Sequence, residues 1–253
     1  MPLSRVHLLS YGLVASAFNR AGHAGRLALK AATYLGIFGW LALTGSLFAT
    51  SGAARAADGG ATAPQVVVAF GDSLTAGYNL PPGTGFPEQL ERYLQGRGLN
   101  VDVRNAGWSG GTSFDGRAQL EPAVAAAGGS PDLVIVEFGA NDALRGLEPA
   151  LTRANLEAML TTLRDRAIPV LLAGMLAPPN LGEDYGREFN AIYPELAAQF
   201  DVALYPFFLD GVAAVPELNL ADGIHPNEAG VGVIVERIGP LVARLLAGDP
   251  VIN

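Results

Sequence analysis

From Gln65 onward, short apolar runs alternate with longer stretches of helical period. The runs Gln65–Phe70, Val101–Asn105, Leu133–Phe138, Ile168–Ala173 and Val202–Leu204 are too short for buried helices and rich in β-branched residues, so they predict five strands. Between them, Phe86–Leu94, Ser113–Ala127, Leu156–Arg166 and Tyr185–Gln199 predict helices. The last helix is the clearest, with Val231, Ile234, Val235, Ile238, Leu241, Val242 and Leu245 recurring at steps of three and four. Near-continuous apolar strands that alternate with helices predict an α/β fold: a central parallel five-stranded sheet with helices on both faces. Polar, glycine-rich stretches follow the first three strands. In such sheets the crevice at the carboxyl ends of the strands is where ligands bind.

Upstream of this pattern the chain reads differently. Residues 1–56 hold Arg5, Arg20, Arg26, Lys30 and Arg55 and no acid, and Ala31–Thr50 is mostly apolar. Ala54-Arg55-Ala56 follows as a small-residue cleavage site, so residues 1–56 are expected to be a secretory signal segment cut after Ala56. An uncleaved anchor is the alternative, because roughly 20 apolar residues span a bilayer. Residues 57–253 form one domain, expected to be periplasmic or secreted, monomeric and without a membrane span once the leader is cut.

That domain carries 24 carboxylates against 11 arginines and no lysine, a formal charge of −13. Binding nucleic acid requires clustered cations against phosphate, so nucleic-acid partners are excluded. The absence of cysteine rules out disulfides, thiolate metal sites and a cysteine nucleophile. No metal or organic cofactor is implied, since one histidine and no cysteine are too few for a typical zinc site.

The candidate chemistry lies just past the strands. Ser73, in Gly71-Asp72-Ser73-Leu74, follows the first strand and opens a turn into a helix. A serine there serves either as an N-cap or as an exposed hydroxyl beside free backbone N–H groups. It is not a G-x-S-x-G elbow, because Asp72 and Leu74 flank it. His225 is the only histidine outside the leader, with Asp222 three residues before it. At that spacing a carboxylate can accept from one ring nitrogen while the other faces outward, which sets the tautomer. The alternative is a capping aspartate and a structural histidine ahead of Pro226. Gly110 lies in the glycine-rich loop after the second strand, and Asn141 in Gly139-Ala-Asn-Asp142 after the third. Asn141 either offers a side-chain N–H to a ligand or caps its own turn.

Taken in order, Gly71-Asp72-Ser73-Leu74, Gly110, Gly139-x-Asn141-Asp142 and Asp222-x-x-His225 resemble the four signature blocks of the SGNH (GDSL) hydrolases. The resemblance covers Val66–Leu246. It is closest to the periplasmic multifunctional thioesterase/protease/lysophospholipase and arylesterase subgroup, through Gly77-Tyr78, Leu144-Arg145-Gly146, Ala191–Pro194 and Pro206–Phe208 as well. It implies the three-layer flavodoxin-like SGNH fold and an acyl-serine mechanism. Ser73 is then the nucleophile, His225 the base and Asp222 the orienting acid. The Ser73 and Gly110 backbone N–H groups and the Asn141 amide form the oxyanion hole. Where the subgroup has Gly-Asp-Thr, this chain has Gly110-Gly111-Thr112, which predicts a looser loop.

The implied substrate is a small-molecule carboxylic ester or thioester: a lysophospholipid, an acyl thioester or an aryl ester, with an acetylated sugar also open. Trp108, Leu144, Pro178 and Leu181 are candidates for the apolar wall of an acyl channel, or ordinary loop packing. A non-catalytic lipid- or glycan-binding module would explain the glycine-rich loops. It would not explain a serine, histidine, aspartate and asparagine in these four places.

Overall fold

The computed structural model describes residues 63–249; the expected signal segment lies outside them. Five parallel strands are ordered β2-β1-β3-β4-β5: β1 Gln65–Gly71, β2 Val101–Gly107, β3 Leu133–Glu137, β4 Val170–Ala173 and β5 Ala203–Tyr205. The helices are α1 Ser73–Ala76, α2 Phe86–Gln95, α3 Ser113–Ala126, α4 Ala140–Leu144, α5 Pro149–Asp165, α6 Glu183–Phe200 and α7 Glu228–Leu246.

Parallel strands joined by right-handed crossovers fix which face each helix covers. The chain steps one way from β1 to β2 through α2, then reverses across β1 to β3, β4 and β5 through α3, α5 and α6. So α2 packs with α7 on one face, while α3, α5 and α6 pack together on the other. The strands obey the same logic. Every residue of β3 and β4 is buried, whereas β2, at the edge, alternates. Phe70 and Phe138 meet edge to face with ring centroids 4.9 Å apart, and Phe86 and Phe208 do the same at 5.0 Å.

The sheet and its helices match the sequence pattern, but β4 begins at Val170 and α6 at Glu183, where Ile168 and Tyr185 were expected, and three further departures stand out. β2 runs two residues further, to Gly107. α5 begins at Pro149, a residue suited to the first helical position, well before the expected Leu156. α4 was not expected at all, because five residues hold too little period to read. The order of winding reverses between β1 and β3, and the carboxyl ends of β1, β2 and β3 lead into the segments that carry Ser73, Gly110 and Asn141, while Asp222 and His225 follow β5.

Candidate active site

Ser73 is the first residue of α1 and is not its cap. Asp72 caps the helix instead, accepting the Leu74 N–H at 2.9 Å. The serine hydroxyl is thereby released from capping, and its Oγ lies 2.9 Å from His225 Nε2. His225 Nδ1 lies 2.8 Å from Asp222 Oδ2, and Asp222 Oδ1 accepts the backbone N–H groups of Ile224 and His225. Those backbone bonds hold Asp222 well below the usual 3.8, at about 2. An ionised carboxylate only accepts, so Nδ1 carries the ring proton and Nε2 is left as an acceptor facing the serine. The capping alternative for Asp222 does not hold, since Asn227 caps α7 through the Gly230 N–H.

The third-strand block is tied into the same turn. Asn141 Nδ2 donates to Asp72 Oδ2 at 3.0 Å, which leaves its second amide hydrogen available. The turn around it is possible only because Gly139 has φ +126° and no side chain, where a Cβ would collide with the Tyr193 hydroxyl. Asp142, fully buried, joins two elements: it accepts from Ser113 N and Oγ at 2.8 and 2.5 Å and from Thr152 Oγ1 at 3.0 Å. It thus ties α4, which carries Asn141, to the first turn of α3, which follows Gly110.

The Gly110 loop is more constrained than its extra glycine suggested. Arg145 Nη2 donates to the Gly110 carbonyl at 2.8 Å, Gly111 N donates to Trp108 O at 2.9 Å, and Thr112 closes a capping box with Asp115. Among the described residues no acceptor takes the backbone N–H of Ser73 or of Gly110. These groups and the Asn141 amide are three donors on three segments that follow the ends of β1, β2 and β3.

A cavity of about 490 Å³ opens between α4 and the Asp222–His225 turn, lined by Ala143, Leu144, Met175, Pro178 and Ile224 among others. Leu144 and Pro178 thus face it. Trp108 and Leu181 do not: Leu181 ends a one-turn 3-10 helix packed on the core, and Trp108 is half exposed on the β2–α3 loop. Tyr78, whose role the sequence did not reveal, lays its ring against His225 with centroids 4.5 Å apart. Among the described residues no cluster of three His, Cys, Asp or Glu side chains is placed to hold a metal ion.

A serine at the end of a central parallel strand, bonded through an imidazole to a carboxylate, defines a serine hydrolase on a doubly wound sheet. The sequence profile of the GDSL-like Lipase/Acylhydrolase family matches residues 69–233, and the chain belongs to that family. It is 40% identical over 184 residues to "Esterase TesA" of Pseudomonas aeruginosa, covering 73% of this chain and 90% of that one. It is 40% identical over 189 residues to "Thioesterase 1/protease 1/lysophospholipase L1" of Escherichia coli K12, covering 75% and 88%. Among solved structures, the SGNH-hydrolase family esterase AlinE4 superposes with a TM-score of 0.62 at 46% identity, covering 72% of this chain and 97% of that one. The protein is therefore an ester-hydrolysing serine hydrolase acting on small-molecule esters.

Proposed function

We propose that the protein is a secreted carboxylic-ester hydrolase, residues 57–253 acting as a monomer through an acyl-serine intermediate. Ser73 Oγ attacks the ester or thioester carbonyl carbon while its proton passes to His225 Nε2. The carbonyl oxygen becomes an oxyanion, met by the Ser73 and Gly110 N–H groups and the Asn141 amide. His225 then returns its proton to the departing alcohol or thiol as the bond to it breaks. Water, deprotonated by the same imidazole, attacks the acyl-serine; the bond to Ser73 Oγ breaks, the imidazolium returns the proton to that oxygen, and the acid leaves. Asp222 keeps the proton on Nδ1 and stabilises the imidazolium.

The observation that carries this reading is the unbroken chain from Ser73 Oγ through His225 to Asp222, at 2.9 and 2.8 Å. A further support comes from AlinE4. Its variant structures replace one serine and one aspartate with alanine, and those positions lie as far apart along its chain as Ser73 and Asp222 lie along this one. The cavity beside α4 suits an acyl group. The names of the relatives, esterase, arylesterase and thioesterase/lysophospholipase, set the range of leaving groups worth trying.

With an activated p-nitrophenyl ester, the purified protein should release a burst stoichiometric with enzyme, and a chain-length series should give the acyl preference. Ser73→Ala should lose the burst and about 10⁶-fold in turnover, the scale seen in serine proteases. Activity within tenfold of wild type in that variant would sink the mechanism. Expressed in a bacterium from the full sequence, the protein should be recovered outside the cytoplasm beginning at or near Ala57, as N-terminal sequencing would read.

A further inference from the structure

Directly beneath the serine turn lies a carboxyl group that the hydrolytic scheme leaves unused. Glu137 is the last residue of β3 and is paired in register with Gly71 at the end of β1. It is wholly buried. Its Oε2 accepts the Asp72 backbone N–H at 3.3 Å and the Thr75 hydroxyl at 2.8 Å, while Oε1 has no partner. Asp72 and Thr75 flank Ser73, so one oxygen grips the turn on both sides of the candidate nucleophile. The route to it is open because residue 71 is glycine: a Cβ there would fall 2.5 Å from Glu137 Oε2 and closer still to Thr75 Oγ1.

We propose that Glu137 is a positioning residue that sets the height and direction of Ser73 Oγ by holding Asp72 and Thr75 from below. Asp72 extends the grip, since its side chain takes the Leu74 N–H and the Asn141 amide. The same carboxyl is thereby linked to the nucleophile turn and to a proposed oxyanion donor. A hydrophobic side chain of similar volume would avoid the cost of a buried, half-satisfied carboxyl, but it would leave the Asp72 N–H and Thr75 hydroxyl without their acceptor. The groups facing Glu137 are Asp72 ahead of α1 and Tyr193 on α6, with Asp142 on α4 and His225 reached across Asp72. Burial first, and the Asp72 charge second, push its carboxyl well above 4.5. That direction favours the protonated carboxyl, and the two contacts to the turn need only its acceptor oxygen.

This inference rests on Ser73 being the nucleophile, so the test reads the serine directly. An activated organophosphonate should label Ser73 in the wild type at one per chain. Glu137→Ala should slow labelling and kcat together by about 10²-fold, the scale of a misplaced reacting group, with KM nearly unchanged. Glu137→Gln keeps the acceptor oxygen and cannot ionise, and it should restore the rate to within about threefold of wild type. If Glu137→Ala fails to fold, Thr75→Val removes one of the two contacts alone and should give a smaller loss with the same kcat-only signature. Labelling within about threefold of wild type in Glu137→Ala, or a Gln variant as slow as the Ala variant, would overturn the positioning role and leave the nucleophile assignment standing. Absence of label on Ser73 in the wild type would overturn both.

Discussion

Asp222, bonded to His225, and Asp72, next to Ser73 in the chain, adjoin the same serine–histidine pair in opposite electrostatic settings. Asp222 sits in an exposed turn, where two backbone N–H groups hold it at about 2. Asp72 has no exposed surface, and burial pushes it up to about 6 despite its bonds from Leu74 and Asn141. Glu137 beside it is pushed up in the same direction, by burial first and the Asp72 charge second. Two buried acids that meet titrate as a pair, so the rear of the site resists carrying two charges. In the proposed mechanism the front carboxylate acts by its charge on the imidazole ring, and the rear acids act by where their oxygens hold the backbone.

The largest expected effect breaks the comparison at the front. Asp222→Asn keeps the shape and removes the charge, and it favours the wrong imidazole tautomer. It should lose about 10⁴-fold in kcat, the scale of losing the orienting carboxylate in a serine protease. A loss below about tenfold would mean that the turn's geometry, and not its charge, does the orienting.

Asn141→Ala comes next. It touches both regions, because one amide hydrogen goes to Asp72 and the other is the proposed oxyanion donor. As an oxyanion donor it should cost about 10²–10³-fold in kcat with KM nearly constant. A role confined to bracing Asp72 would instead lower the melting temperature and spare kcat. Kinetics and melting measured on the same sample separate the two.

The smallest effects sharpen the comparison through the sign of their pH dependence. Asp222 titrates near 2 when folded against 3.8 in the open chain. Its contribution to stability is therefore present above 3.8 and is lost as pH falls through 2. The melting-temperature gap between wild type and Asp222→Asn should shrink over that window, and by little, because the group is exposed. Glu137 is shifted the other way, so the folded protein holds a proton that the unfolded chain releases above 4.5. Wild-type stability should fall as pH rises from there, relative to Glu137→Gln. Gaps that moved in the same direction would erase the distinction between front and rear.

What the sequence showed follows from the same physics. β1, β3 and β4 were readable because burial leaves them almost no polar residues. The Ser73–His225–Asp222 set was readable from residue type and order. The opening turns of α5 were hidden, since Leu151 is exposed while Thr152 is buried. The rest of the site arises from contacts between distant segments: Tyr78 on His225, Arg145 on Gly110, and Glu137 under Asp72. Local pattern carries no trace of them. Pro149 was the one unused local signal, since a proline at that place marks a helix start.

The first strand begins beside the end of the last helix, with Gln65 Nε2 bonded to the Leu246 carbonyl at 3.0 Å. Seven strand residues then carry the chain about 20 Å, at about 3.3 Å each, to the serine turn. Both attachment points of the hydrolase fold thus sit at the amino-terminal end of the strands, opposite the crevice. A carrier fused at either one, or a short linker closing the two into a ring, leaves the approach of an ester to Ser73 unobstructed. The fold behaves as a cassette, open to rewiring at its base without disturbing the chemistry at its top.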